Sequence, residues 1–136
     1  MYETFEHTAD LGLRIRAASL DELFADAARG LFSLIVPDLG SVRSVEQVLL
    51  DIPGEPSEML LFDWLNELLY TYETRHLLLA EFNVQVGPQG LTATVSGEPI
   101  DRQRHQLDHE VKAITYHGLK LDRQGADWLA EVIVDI

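Results

Sequence analysis

The sequence contains no cysteine, is poor in basic residues, and has no long apolar run. Without cysteine it can form no disulfide, no thiol nucleophile and no sulfur-ligated zinc or iron site, so oxygen or imidazole ligands would have to hold any metal. Ten Lys and Arg stand against 23 Asp and Glu, a formal net charge of −13. Nucleic acid repels such a surface, and no basic run offsets it. We therefore expect a hard divalent cation if there is one, and no direct nucleic-acid partner.

Neither a membrane segment nor a targeting segment is visible. No window approaches the ~18 consecutive apolar residues of a spanning helix, and the N-terminal residues lack the basic and apolar regions of a leader. We therefore expect a cytoplasmic protein that does not engage a membrane. The length of 136 residues, 46% of them hydrophobic, fits one core. Because no repeat or Gly/Ser linker interrupts the chain, we expect residues 1–136 to form a single domain.

Two segments show the periodicity of amphipathic helices. Ser19 and Glu22 form an S-x-x-E capping box, and the apolar residues that follow repeat at helical spacing until Pro37. Ser57 is the N-cap of a second apolar run, which extends from Leu60 to Tyr72. Each predicted helix therefore has one apolar stripe to bury.

The second predicted helix also has a polar face. Asp63, Glu67, Tyr70 and Thr74 recur at i, i+4, i+7 and i+11, on the side opposite the apolar stripe. Contact with solvent is the ordinary explanation of such a face. An acidic helical face can also dock on a basic partner, because complementary charge raises the rate and specificity of association.

Most of the remaining sequence predicts strands joined by turns. Alternating apolar and polar residues, runs of β-formers, and Pro-Gly or Gly-Pro turn signals delimit these strands. Because the strands outnumber the helices and do not alternate with them, we predict an α+β fold. We expect a mainly antiparallel or mixed sheet with the two amphipathic helices packed on one face. The predicted strands are residues 2–7, 13–17 (after a turn around Asp10 and Gly12), 45–52, 82–86, 91–95, 111–121 and 128–136.

Residues near the two ends of the chain are candidates for a cation site. The motif His7-Thr8-Ala9-Asp10 is most simply a turn between strands, but Asp10 could instead be a metal ligand or a base with His7 beside it. Asp135 lies on the less apolar face of the last predicted strand. If the natural chain stops at Ile136, the Asp135 carboxylate, its carbonyl and the terminal carboxylate form an oxygen cluster suited to Ca²⁺ or Mg²⁺. We expect the apolar residues 132–134 to hold this terminus in a sheet.

Lys112 is a further candidate. It lies out of phase with Val111 and Ala113 in what should be a strand, where a solvated lysine is the common case. Near two carboxylates it would instead reduce their mutual repulsion, reach a phosphate or carboxylate of a partner, or hold the site together when no cation is bound.

Four stretches of the sequence resemble the archease family in order and spacing, and the resemblance runs end to end. Each stretch is modest alone, but four in succession across a chain of family-like length make coincidence improbable. The stretches are Glu6-His7-Thr8-Ala9-Asp10-Leu11-Gly12, Asp63-Trp64-Leu65-Asn66-Glu67-Leu68-Leu69-Tyr70, Val111-Lys112-Ala113-Ile114-Thr115-Tyr116-His117 and Val132-Ile133-Val134-Asp135-Ile136.

The resemblance implies an accessory protein rather than an enzyme. Archeases activate the RNA-splicing ligase that joins a 3′-phosphate or 2′,3′-cyclic phosphate end to a 5′-hydroxyl, in tRNA splicing and RNA repair. They promote guanylylation of the ligase histidine and repeated turnover, so the implied partner is the ligase, bound transiently. The family's divalent-cation site, of the Ca²⁺ or Mg²⁺/Mn²⁺ type, maps to Asp10, Asp135 and Ile136, the last through a main-chain or terminal oxygen. Lys112 is the next candidate for a functional role.

Two other functions stay open from the sequence. A stand-alone metal-dependent phosphohydrolase could be built on Asp10, Asp135 and His7, and it would turn over phosphoesters without a ligase. A chaperone or scaffold with no metal role would activate its partner equally well with chelator present or with the substitution Asp135→Asn.

Overall fold

The computed structural model of the protein describes residues 1–7 and 10–136, and of His7 it describes the backbone alone. These residues form two helices, seven strands and a short 3-10 turn at Leu39–Ser41. The helices are α1 (Leu20–Ile35) and α2 (Glu58–Arg75). The strands are β1 (Tyr2–His7), β2 (Asp10–Ala17), β3 (Glu46–Pro53), β4 (Leu77–Gly87), β5 (Gly90–Pro99), β6 (Ala113–Gln124) and β7 (Asp127–Asp135).

The strands form two antiparallel sheets. The first sheet has the order β1-β2-β7-β6, and the second has the order β3-β5-β4. Every strand pair is antiparallel. The predicted α+β class and the antiparallel pairing are thus confirmed, and the structure adds that the strands belong to two sheets. The first sheet joins the two ends of the chain, since β2 lies beside β7, while the second sheet is built from the middle of the chain.

The two helices contact both sheets. Helix α1 packs on β2 of the first sheet and β4 of the second, and α2 packs on β6, β4 and β3. Helix α1 can do this because its buried side is broad, with ten of its 16 residues buried. The indole Nε1 of Trp64 on α2 donates a hydrogen bond of 2.9 Å to the carbonyl of Phe24 on α1 and ties the helices together. Among the described residues, no helix is both long and apolar enough to cross a membrane.

Both predicted helix starts are confirmed. Ser19 Oγ accepts a hydrogen bond from the N–H of Glu22, and Ser57 Oγ accepts one from the N–H of Leu60. These bonds satisfy donors that the first turn of a helix leaves without an intrahelical partner. Helix α2 ends at Arg75, and the residue that caps it, His76, has a left-handed backbone with a φ of 54°.

Several predicted strand boundaries differ from the structure. The turn predicted around Asp10 and Gly12 is wrong, because β2 begins at Asp10 and pairs there with β7. Strand β4 begins at Leu77, earlier than predicted, because three successive buried leucines show no alternation. Strand β6 begins at Ala113, so Lys112 precedes the strand that was predicted to contain it. The register of β6 shifts between Thr115 and Lys120, around Gly118 with its φ of 78°.

A buried carboxylate anchors the irregular segment between β5 and β6. Glu98 is 6% exposed, and its carboxylate accepts hydrogen bonds from the N–H of Arg43 and from the Arg104 guanidinium. His105, 3% exposed, lies 3.1 Å from the same carboxylate through Nε2. Its Nδ1 accepts a hydrogen bond from the N–H of Asp101 at 2.9 Å, which leaves Nε2 as the ring nitrogen that can donate to Glu98. The Arg104 hydrogen bond is the main cause of the lowered pKa of Glu98, about 2.

We expect Glu98→Gln to lower the free energy of unfolding by about 2–3 kcal/mol at pH 7, because it weakens charge-assisted hydrogen bonds to a buried acceptor. A carboxylate with a lowered pKa stabilises the fold fully above its ordinary value of 4.5, and that contribution is lost as the pH falls toward about 2. The difference between wild type and variant should therefore shrink between pH 5 and pH 2. Urea denaturation across this range measures it, with the exposed Glu81→Gln as the control. A difference that does not depend on pH would contradict the assignment.

Candidate functional site

The first sheet places four residues in a row across its strands. His7 on β1 is the register partner of Asp10 on β2, Asp10 is the partner of Asp135 on β7, and Asp135 is the partner of Ala113 on β6. We call these four positions the end row, since they lie where β1, β2, β7 and β6 meet one end of the sheet. Thr8 and Ala9 of the predicted motif lie outside the described residues.

Asp10 and Asp135 form the closer of the two kinds of antiparallel pair. Met1 and Arg16 exchange backbone hydrogen bonds of 2.9 and 3.0 Å across β1 and β2. Because bonding alternates along a strand, the even-numbered residues of β2 bond to β1 and its odd-numbered residues bond to β7. Asp10 and Asp135 are therefore a non-hydrogen-bonded pair, in which Cα atoms are about 4.5 Å apart and side chains approach closely. Both residues are half-buried.

The two aspartates are on the outer face of the sheet, away from the helices. On β2 the residues that face the core are Leu13, Ile15 and Ala17, and Asp10 is out of phase with them. On β7 the core residues are Ala130, Val132 and Val134, and Asp135 alternates with them. Directly opposite carboxylates repel each other and destabilise a sheet. The first sheet thus holds two acidic residues opposite each other on its outer face.

The backbone of Lys112 is bound to the aspartate pair. The N–H of Lys112 donates a 2.8 Å hydrogen bond to the carbonyl of Asp135. Lys112 is exposed, and it lines a cleft together with residues of α2 that include Asp63 and Glu67. It forms no salt bridge with any residue that the structure describes. The predicted effect of Lys112 on the repulsion between the aspartates therefore stays a prediction.

Ile136 fixes the position of Asp135. It follows β7 directly, is half-buried, and packs against the hydrophobic core. Its main-chain oxygen atoms are held next to the end row, because the apolar side chain cannot leave the core without exposing its surface to water. For His7, the structure gives only the backbone position opposite Asp10.

The rows next to the end row contain the residues that sequence reasoning missed. Phe5 is the register partner of Gly12, and its ring lies over that glycine, so that a Cβ on Gly12 would be 2.2 Å from a ring carbon. The signal in the sequence was a glycine inside an alternating strand, which often marks a close approach. Two residues further along β2, on the same face of the sheet, Arg14 contacts Glu3 at 3.2 Å and Glu131 at 3.6 Å. The hydrogen bond to Glu3 is the main cause that raises the pKa of Arg14.

Two carboxylates at this spacing suit a hard divalent cation, but they do not complete a coordination shell. Ca²⁺ takes six to eight oxygen ligands and Mg²⁺ takes six. Among the side chains that the structure describes, which do not include that of His7, no group of three or more His, Asp or Glu could hold a metal ion. Main-chain oxygen atoms, water or a partner would have to supply the remaining ligands. The donor set therefore fits a cation held at an open, solvent-facing edge.

Comparisons with known proteins agree over the whole described chain. The Archease protein family (MTH1598/TM1083) matches residues 2–136. The archease of Methanopyrus kandleri is 37% identical over 139 residues, which cover 99% of both chains. The archease of Pyrococcus furiosus is 36% identical over 143 residues, with 99% of this chain and 98% of that protein covered.

Solved structures show the same architecture. Protein 1598 of Methanobacterium thermoautotrophicum, determined in solution, superposes with a TM-score of 0.88 at 33% identity, covering 99% of this chain and 98% of that one. A crystal structure from Thermotoga maritima, described as an archease and possible chaperone, superposes with a TM-score of 0.70 at 25% identity and covers all of this chain. With a family match over nearly its full length and relatives of similar length above 30% identity, this chain belongs to the archease family.

Proposed function

We propose that this protein is a non-catalytic activator of an RNA-splicing ligase, which promotes guanylylation of the ligase histidine and repeated turnover in tRNA splicing and RNA repair. Family membership supports the partner. The observation that carries the proposal is the register pairing of Asp10 with Asp135 on the outer face of the first sheet. A pair of acidic residues held on an outer face of a sheet is suited to act on a second protein rather than on a substrate of its own.

We further propose that Asp10, Asp135 and a main-chain or terminal oxygen of Ile136 hold a divalent cation. A cation at this edge would stabilise negative charge that develops on phosphoryl oxygen atoms. The part of this chain is to hold the two carboxylates at the fixed spacing of adjacent strands, so that little reorganisation accompanies contact with the ligase. The ligase would supply some of the missing ligands, which fits a transient complex. His7 and Lys112 remain candidates for assisting roles.

The charge of the protein supports a protein partner over direct contact with RNA. With a formal net charge of −13, the surface attracts basic protein surfaces and repels a phosphate backbone. The ligase itself must bind RNA and a nucleotide, and it therefore has to present basic surface. Long-range attraction between the two proteins would raise their rate of association at low ionic strength.

We expect Asp10→Ala to leave the fold intact and to reduce stimulated guanylylation of the ligase histidine by at least about 100-fold, the effect of losing one electrostatic contact in a phosphoryl-transfer site. The measurement is incorporation of labelled GMP into the ligase, with circular dichroism as the check on folding. Asp122→Ala, an exposed acidic residue of β6, is the matched control. Full stimulation by Asp10→Ala would refute the assignment. Phosphoester hydrolysis by the protein alone would favour the hydrolase instead.

We expect a divalent cation to stabilise the wild-type protein through the aspartate pair. In chelator, Asp135→Asn should be as stable as the wild type or more stable by about 0.5 kcal/mol, since it relieves repulsion between opposite carboxylates. In millimolar Ca²⁺, Mg²⁺ or Mn²⁺, the Tm of the wild type should rise, because a ligand that binds only the folded state stabilises it. The Tm of Asp135→Asn should not rise, whereas Asp122→Asn should respond like the wild type. A cation response that survives in Asp135→Asn would place the cation elsewhere.

A further inference from the structure

A cleft of about 880 Å³ lies between α2, β3 and the residues that lead into β6. We call it the α2–β3 cleft. One wall is the polar face of α2, with Asp63, Glu67 and Tyr70, and the other is β3, and Lys112 also lines the cleft. Its volume is in the range of ligand-binding sites. The cleft is separate from the Asp10–Asp135 pair, which lies on the outer face of the first sheet.

The wall formed by β3 is the edge of a strand. All five residues from Leu49 to Pro53 line the cleft. Alternate side chains of a strand point to opposite faces, so five consecutive lining residues mean that the cleft meets the backbone edge. In the described part of the chain, β3 pairs only with β5. The other edge of β3 is therefore available to a new strand.

The register identifies which backbone groups point into the cleft. The N–H of Gly54 donates to the carbonyl of Gln89 at 3.0 Å, which places the hydrogen bonds between β3 and β5 at even-numbered residues of β3. The N–H and C=O groups of Leu49 and Asp51 therefore point away from β5. At the opposite edge of this sheet, formed by β4, an outward-pointing N–H already has a partner: the N–H of Val86 donates to the carboxylate of Asp21 at 2.8 Å.

The side chains around this edge select a basic and partly apolar ligand. Asp51, Asp63, Glu67 and Glu73 are among the residues that line the cleft, and none of their carboxylates forms a salt bridge or hydrogen bond with the described residues. Lys112 is the one basic residue among those lining the cleft. Leu49 is 78% exposed and Tyr70 is 60% exposed, although both are large side chains that water solvates poorly. Four carboxylates against one ammonium group favour a partner of positive charge.

The cleft also leads to the aspartate pair. Lys112 lines the cleft, and its N–H donates a hydrogen bond to the carbonyl of Asp135. Ala113 lines the cleft as well and is the register partner of Asp135. A chain that lay along β3 toward Lys112 would therefore run toward the edge of the sheet that carries the two aspartates.

We propose that the α2–β3 cleft binds an extended, basic segment of a partner protein, which adds to the free edge of β3 as a fourth strand. Main-chain hydrogen bonds to Leu49 and Asp51 would supply the affinity, and the acidic wall of α2 would select Lys and Arg at alternate positions, as in β-strand addition. The identification of this partner as the ligase rests on the function proposed above. The proposal that the cleft binds an extended basic segment does not depend on that function.

The first experiment removes a single outward-pointing N–H. Leu49→Pro takes away the N–H at a position that makes no bond to β5, and edge strands tolerate proline at such positions. We expect it to weaken binding to the ligase about tenfold by isothermal titration calorimetry, and to stimulate guanylylation as the wild type does once its concentration saturates the ligase. The matched control is Thr4→Pro, at the outward-pointing position of β1, the edge strand of the other sheet. Binding of Leu49→Pro with wild-type affinity would overturn the proposal.

A second variant tests the charge and does not touch the backbone. Glu67→Lys on the face of α2 should also weaken ligase binding about tenfold, whereas Asp122→Lys, which makes the same change in net charge, should have less than about twofold effect. If Asp122→Lys weakened binding equally, net charge and not the cleft would be responsible, and the proposal would fail. In that outcome the proposed function would still hold, provided that the wild-type protein binds the ligase and stimulates it.

A third measurement separates the cleft from the ligase. A synthetic peptide of alternating Lys and Val should shift the amide resonances of Leu49, Asp51 and Lys112, and a peptide of alternating Glu and Val should not. These shifts would support the cleft as a site for basic extended chains even if no ligase were stimulated, in which case the proposed function alone would fail. Shifts confined to other surfaces, or no shifts with the basic peptide, would overturn the inference.

Discussion

The pairing of β2 with β7 is the interaction on which the remaining structure of the site depends. It joins residues 10–17 to residues 128–135, so the two ends of the polypeptide become neighbouring strands in one sheet. The buried side chains of these strands face the helices, and each is therefore held in register by the same core. Because a shift of one residue would turn every buried side chain outward, that register is strongly specified. The opposition of Asp10 and Asp135 follows from it.

Charged residues lie in two rows on the outer face of the first sheet. Arg14 lies between Glu3 and Glu131, so that row is compensated by its own ion pairs. Phe5 covers Gly12 in the next row and removes it from water. In the end row, the Asp135 carboxylate forms no salt bridge with the described residues, although it faces a second acidic residue. Carboxylates directly opposite each other repel, so this position contrasts with the row of Arg14.

The two sheets offer the protein two kinds of contact. The end row presents carboxylates at a fixed spacing, which suits chemistry on a charged group. The α2–β3 cleft presents backbone groups, acidic side chains and exposed apolar side chains, which suits recognition of a chain. Lys112 connects the two surfaces, because its N–H donates a hydrogen bond to the carbonyl of Asp135 in the end row and the residue also lines the cleft. An accessory protein needs both functions, because it must hold its partner as well as act on it.

Local patterns in the sequence determined the elements of this fold. The serine caps fixed the starts of both helices, and alternating apolar residues marked the centres of most strands. The α+β class followed from the number and order of those elements. Two strand boundaries could not be predicted from these patterns. At the start of β4, consecutive buried residues show no alternation. At Asp10, pairing with a neighbouring strand extends β2 into a segment that was predicted to be a turn.

The candidate residues were also visible in the sequence, as a loop aspartate and a terminal aspartate that no packing argument requires to be acidic. Only the tertiary structure decided which residues meet. Hydrogen bonding between distant segments set the register of Asp10 against Asp135 and, within the described part of the chain, left one edge of β3 without a neighbouring strand. Strands β2 and β7 lie more than 100 positions apart in the sequence, and they pair because both bury side chains in the same core. Local sequence patterns do not show which distant strand will be the partner, or in which register.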